Sequence, residues 1–289
     1  MKRLIKKIII KLPFLNFSLT NNETKFPQVK NSPILKEIFL KGNNSYEPEV
    51  FSLIKNSDYD IFIDCGANIG LFSCFAYRKG IETIAIEPLN DNIKYLKKLF
   101  DLNNYKIDLI KKGISDQAGK FKIYVPDEKK KFHAHSSLQN QFKDPNSPYF
   151  KNKFKIEDIE TTTLNNIFEL NDNFLDKKIL LKVDIEGNEL KSLTCFKEIL
   201  KEKINIDVLV EIMINDVDKQ EIFNLMIDCG YESYLLTNAG FVEEKRPLTL
   251  PKYDNFNQKL RTCWKNHFFT KKNKEEIKKR SLKHYNYFI

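Results

Sequence analysis

The sequence predicts an α/β fold in which a mostly parallel sheet carries helices on both faces. Two observations lead there. From residue 60 onward, short and nearly continuous apolar runs alternate with segments of helical spacing, as expected of strands covered by helices on both sides. The first of these runs, in DIFIDCGANIGLF (60–72), ends on a carboxylate followed by two glycines. That is a turn at a strand tip, where open parallel sheets bind their ligands.

Taken in order, residues 12–57 read as a lead-in with one or two short helices. DIFID is the first strand of the sheet, and GLFSCFAYRKG is a helix ending on Gly80 as its C-cap. ETIAIEP is a second strand, stopped by Pro88. NDNIKYLKKLFDLN is an amphipathic helix with Ile93, Leu96, Leu99 and Phe100 on one face and Asn90 or Asp91 as N-cap. KIDLIKKGIS reads as a third strand and KKILLKVDIEG as a fourth, the latter followed by a helix to about Ile199. NIDVLVEIMI is a fifth, followed by a helix in DKQEIFNLMIDCG, and TCWKNHFFTKK supplies a last strand. Residues 126–155 interrupt this rhythm with a long, polar, proline-containing connection.

Composition bounds the partners. The 289 residues carry a net charge of +9. Residues 1–11 hold five basic residues and no acids, and residues 265–289 hold eight basic and two acidic, which leaves the body at −2. A nucleic-acid enzyme would carry a basic face within its body, so basic ends are expected and a nucleic-acid groove is not. The first segment, MKRLIKKIIIKL, sets Leu4, Ile5, Ile8, Ile9 and Leu12 on one helical face opposite its basic residues. It suits either peripheral contact of residues 1–12 with an anionic membrane surface or packing on the protein's own core. No stretch reaches membrane-spanning length and no secretory leader is read. Five scattered cysteines without a C-x-x-C pair suit a reducing cytoplasm and disfavour a zinc site. Lysine outnumbers arginine 43 to 5, the mark of an AT-rich, bacterial genome.

The chemistry concentrates at strand tips. At the first, Gly66 and Gly70 are spaced G-x-x-x-G, and Asn68 stands where a dinucleotide site has its middle glycine. A carboxylate at that tip, Asp64, repels a pyrophosphate and favours a cationic ligand, and the sulfonium and ammonium of S-adenosylmethionine fit. Glu87 ends the second strand, where a carboxylate can accept from both ribose hydroxyls. In LLKVDIEGNEL, Lys182, Asp184 and Glu186 alternate, so an extended chain sets them on one side. Asp184 and Glu186 are candidates for orienting a nucleophilic oxygen and removing its proton. Holding a divalent ion is the alternative, which the absence of helpful histidine spacing disfavours; a structural reading makes Asp184 a helix cap and pairs Glu186 with Lys182. His135, two residues after His133 in the polar connection, is a candidate general base, and Glu211, ending the fifth strand, is a further carboxylate.

IDCGANIGLFS, AIEPLNDNIKYLKKL, GISDQAGKFKIY, HSSL, TTTLNNIF and LLKVDIEGNELKSL, in this order over residues 60–212, resemble the motifs of the FkbM family of S-adenosylmethionine-dependent methyltransferases. The resemblance implies the class I methyltransferase (Rossmann-like) fold, a mostly parallel seven-stranded sheet whose last strand is reversed. It implies O-methylation of sugar, polyketide or related hydroxyls. It also implies cofactor contacts at Asp64, Gly66, Asn68, Gly70, Glu87, Pro88, Ser115 and Asp116. The expected activity is methyl transfer to a sugar hydroxyl of a bacterial surface glycan or its precursor, in the cytoplasm or at the inner face of the membrane; the oligomeric state is left open. The methyltransferase domain is expected over 58–270, between a lead-in (1–57) and a basic tail (271–289). Acceptor contacts are expected from 126–155 and from the region after Gly240. An NAD-dependent oxidoreductase would need the absent glycine. A methyltransferase fold without catalysis would have no need of Asp64, Glu87, Asp184 and Glu186.

Overall fold

The computed structural model describes residues 19–21, 23–29, 32–42, 46–126, 136–139, 153–171, 176–203, 205–212, 218–237, 240–245 and 266–277, with Lys6, Lys143 and Phe174. His133, His135, the tail beyond Ile277 and, apart from Lys6, the amphipathic segment 1–12 lie outside the described residues.

The strands are β1 (Leu19–Asn21), β2 (Thr24–Phe26), β3 (Ile61–Cys65), β4 (Glu82–Ile86), β5 (Asp108–Ile110), β6 (Gly113–Ile114), β7 (Gly119–Pro126), β8 (Phe154–Thr162), β9 (Ile179–Val183), β10 (Ile206–Glu211), β11 (Glu232–Thr237), β12 (Gly240–Glu244) and β13 (Asn266–Thr270). The main sheet has the order β12-β11-β13-β10-β9-β3-β4-β5. β5, β4, β3, β9 and β10 are parallel. β13 is antiparallel to both neighbours, β10 and β11. The reversed last strand is therefore present, in TCWKNHFFTKK as expected. An eighth strand, β12, extends the edge as a hairpin partner of β11.

Alternation along the strands divides the core. Phe62, Ala85, Leu180 and Leu209 face one layer, with the helices Leu71–Arg78 and Asn90–Asn103. Ile61, Ile63, Leu181, Val183, Val208 and Val210 face the other, with Leu193, Leu200 and Phe223 of the later helices. The lead-in does not stand apart. Its two helices, Pro33–Lys41 and Pro48–Lys55, put Leu35, Ile38, Val50, Phe51, Leu53 and Ile54 into the first layer. Lys6 sets its ammonium 5.2 Å from the centre of the Phe39 ring of this lead-in.

Three local expectations change. KIDLIKKGIS is two strands, because β6 leaves the main sheet to pair with β8 in a three-stranded sheet with β7. The helix after β9 is two short ones, Glu189–Cys195 and Lys197–Glu202. Neither Asn90 nor Asp91 caps its helix; Leu89 holds the cap position without a side-chain bond, and Asn90 is already helical. The cause is Glu87, whose Oε1 accepts from the Leu89 N–H (3.0 Å) and the Asn92 amide (3.2 Å) and so fixes the helix start from outside it.

Candidate active site

Because β4, β3 and β9 are adjacent and parallel, the turns at their carboxyl ends meet. These turns, with the Lys112–Ile114 stretch and Glu211 at the end of β10, line one cleft.

The turn after β3 is held through its own backbone N–H groups. The N–H groups of Gly66 and Ala67 both donate to the Ile86 carbonyl at 3.0 Å, and the Asn68 N–H donates to Glu87 Oε2 at 2.9 Å. Gly66 (φ +85°) has no room for a side chain: a Cβ there would lie 1.8 Å from the Asp184 carbonyl oxygen. Asn68 adopts φ +50°, the left-handed region that asparagine tolerates. Gly66, Asn68, Glu87 and Pro88 all line the cleft. Gly70 (φ +72°) does not; it starts the helix Leu71–Arg78 and keeps clear of Leu96, whose Cδ2 would stand 2.6 Å from a Cβ there.

Glu87 is 4% exposed, and burial pushes its carboxyl up to about 7 despite bonds from Leu89, Asn68 and Asn92. Three of its four lone-pair sites are used.

Asp64 is placed differently from the expectation that it faces a cationic ligand. It points into the layer beneath the cleft, 1% exposed, accepting from Ser73 Oγ at 2.5 Å. The reason is register: Asp64 lies beside Lys182 of β9, and side chains at paired positions of parallel strands share a face. The Lys182 ammonium stands 3.8 Å from Asp64 Oδ1 and 2.7 Å from Asp184 Oδ2, above the Phe72 ring at 5.5 Å. Burial opposes its charge, but Asp184, Asp64 and Glu47 together raise its pKa above the ordinary lysine value. For Asp64, burial outweighs Lys182 and Ser73 and raises the pKa.

β9 ends at Val183, so the chain turns before Glu186, which has φ +58°. Lys182 pairs with Asp184 and not with Glu186, and the following helix has Asn188, not Asp184, at its N-cap. Asp184 and Glu186 nevertheless line the same cleft, as does Glu211. Glu189, quoted in the motif but given no role by sequence reading, organises this turn. Its two carboxylate oxygens accept from the Ile185 and Gly187 N–H groups, each at 2.9 Å. A carboxylate at the first helical position that reaches back to turn N–H groups is a capping pattern legible in sequence.

Burial pushes the Glu189 carboxyl up to about 8. A raised acid pKa adds stability that is complete below the unfolded value and disappears as pH rises through the folded one. Urea unfolding midpoints should therefore fall between about pH 5 and about pH 9. Glu189→Gln should show a smaller fall, with Glu87 still contributing in the same direction. Equal falls in both proteins would show that Glu189 does not titrate in this range.

Ser115 and Asp116 do not line the cleft, against expectation. The Ser115 N–H is drawn to the Thr162 carbonyl as β6 joins β8, and its hydroxyl is 2.9 Å from Asp116 Oδ1. Lys112, Gly113 and Ile114 line the cleft instead. Two further segments contribute, the first not anticipated from sequence and the second within the HSSL motif. Ile34 and Tyr46 come from the lead-in, with Tyr46 stacked on Phe72 at 6.3 Å. Ser136 and Leu138 come from the long connection. After Gly240, no described residue lines the cleft. Among the described residues, no three His, Cys, Asp or Glu side chains come together as metal ligands, and no helix is long and apolar enough to cross a membrane.

A mostly parallel sheet with the reversed strand β13 set between β10 and β11, and a glycine–carboxylate cleft across the tips of β3, β4 and β9, define a class I methyltransferase architecture. Within that class the chain belongs to the FkbM methyltransferase family, whose domain, described as "Methyltransferase FkbM domain", matches residues 64–233. The chain is 28% identical over 220 residues to "Methyltransferase sdnD" of Sordaria araneosa, over 69% of this chain and 81% of that protein. Solved structures similar to it include a SAM-dependent methyltransferase from Agrobacterium tumefaciens (TM-score 0.42, 10% identity), in a match that covers 78% of this chain and 64% of that one. Another is precorrin-6y C5,15-methyltransferase from Geobacter metallireducens (TM-score 0.39, 9% identity), covering 79% and 87% respectively. The fold assignment rests on the strand order itself.

Proposed function

We propose that the chain transfers a methyl group from S-adenosylmethionine to a sugar hydroxyl, on a bacterial surface glycan or its precursor. The carrying observation is that Glu87 and the Asp184–Glu186 turn flank one cleft across the Gly66 turn. The family implies S-adenosylmethionine, and the residues present suit it. Glu87 keeps an accepting site for a ribose hydroxyl, glycine backbone admits close approach, and Asn68 Oδ1 is buried with no hydrogen-bond partner among the described residues.

The donor, when bound, supplies an electrophilic methyl on a sulfonium. The chain's part is positional and electrostatic. Asp184 and Glu186 present carboxylates at the cleft to orient an acceptor hydroxyl and take its proton as the oxygen attacks. Lys182 holds Asp184 from behind at 2.7 Å. The acceptor side combines carboxylates (Asp184, Glu186, Glu211) with the Tyr46–Phe72 aromatic pair. That combination suits a sugar ring, whose hydroxyls donate to carboxylates and whose C–H face rests on an aromatic surface.

Transfer of labelled methyl groups to a panel of methyl glycosides, phenols and peptides tests the reading. Label is expected on a glycoside oxygen. Asp184→Asn should lower kcat about 100-fold or more and leave calorimetric affinity for S-adenosylhomocysteine unchanged. Glu87→Ala should weaken that affinity by about 1.5–3 kcal/mol. Label confined to phenols or peptides would overturn the sugar reading, and full turnover by the Asn variant would remove Asp184 from the chemistry.

A further inference from the structure

The stretch Ser136–Gln139 contributes Ser136 and Leu138 to the cleft lining, and it is tied in from both sides. Ser137 exchanges backbone hydrogen bonds with Tyr124 of β7 at 2.8 and 3.1 Å. Its hydroxyl donates to the Glu186 carbonyl at 2.6 Å and accepts from the Gln139 N–H at 3.0 Å. The Gln139 side-chain amide donates to the Gly187 carbonyl. A short segment thus spans from the β7–β8 hairpin to the turn after β9.

With Ser137 pinned, its neighbours turn the other way. Leu138 packs on the apolar cluster of Leu89, Ile123, Val125 and Ile159, and both Leu138 and Ser136 line the cleft. Ser136 Oγ is buried and has no hydrogen-bond partner among the described residues. A buried hydroxyl left unmatched is costly, and in native proteins such groups normally meet a partner. Pro88 and Leu89 follow Glu87 along the chain and line the cleft with Ile123 and Ile159. A purine extending from a ribose held at Glu87 meets these side chains next.

We infer that Ser136–Gln139 forms the outer wall of the nucleoside half of the methyl-donor site. Leu138 closes an apolar slot over the purine opposite Leu89, and the Ser136 hydroxyl bonds to the bound nucleoside. Ser137 and Gln139 are positioning residues that clasp this wall to the Glu186–Gly187 turn. The inference rests on the S-adenosylmethionine reading and adds four residues to it.

Calorimetry on the full chain with two probes, S-adenosylhomocysteine and adenosine, tests it without knowledge of the acceptor. Ser136→Ala should weaken both probes by the same factor, about 5- to 10-fold for one hydrogen bond. Leu138→Val removes one methylene and should weaken both by about 4-fold. Leu138→Ala should cost more, and the Val variant decides the matter if the Ala variant does not fold. Weaker S-adenosylhomocysteine binding with unchanged adenosine binding would overturn the assignment, since the wall would then face the amino-acid half. Wild-type affinity for both probes in all variants would overturn it as well. A wild-type chain that binds neither probe would instead overturn the donor reading on which it rests.

Discussion

Gly66→Ala is expected to abolish binding of S-adenosylhomocysteine and to lower stability by about 3–5 kcal/mol. Two costs add. The new Cβ would lie 1.8 Å from the Asp184 carbonyl oxygen, a backbone atom that cannot swing aside. The residue would also have to hold φ +85°, where a side chain is strained. Relief requires moving the tips of β3 and β9 apart, and those tips carry the Gly66–Gly70 turn and Asp184. Gly80→Ala is the control. Gly80 has a similar φ of +80° but nothing within 4 Å of the added carbon, so only the backbone term remains, about 1 kcal/mol. Urea unfolding and calorimetry on both variants separate close approach from conformation. Equal behaviour of the two would show that the strand tips yield freely.

Lys182→Met should rank second, with a loss of about 3–5 kcal/mol at neutral pH, the usual cost of leaving a buried partner charge uncompensated. Methionine fills a similar volume but leaves Asp64 and Asp184 side by side without a cation. Asp64 is 1% exposed, and its Oδ1 accepts no hydrogen bond. The deficit should shrink as pH falls, because the two carboxylates regain neutrality by protonation. Adding Asp64→Asn should restore part of the stability at neutral pH by removing one of the stranded charges. Unfolding curves at two pH values and for the double variant check this. A Lys182→Met protein as stable as wild type would mean that water, and not Lys182, compensates the pair.

The contrast between what sequence shows and what it hides follows from distance along the chain. Near-continuous apolar runs located β3, β4, β9 and β10, because strands buried on both faces need them. Asp184, Glu186 and Glu87 sit at the tips of such strands, so period and position together brought them to the cleft. Asp64 and Lys182 were harder to read. Their roles depend on being paired across β3 and β9, and register between strands over 100 residues apart leaves no mark in either segment. Ser115 and Asp116 stay off the cleft for a related reason: β6 departs to another sheet, and its partner in β8 is 48 residues away. Tyr46 and Ile34 precede the family's motifs and reach the cleft only because the lead-in folds back over the first layer. Glu189 was within reach, since its bonds run to residues two and four positions upstream.

β13, the reversed strand at residues 266–270, lies between β10 and β11 although both precede it in the chain. During synthesis, therefore, the sheet cannot close around its middle until the ribosome has passed residue 270 and released that stretch from its exit tunnel. Until then β10 and β11 each keep an open, hydrogen-bond-hungry edge next to a finished neighbour. Asn266 then brings its amide to Glu49, 217 residues earlier. Translation order and sheet order thus differ, and from the emergence of β10 until β13 docks the nascent chain carries open edges that need protection.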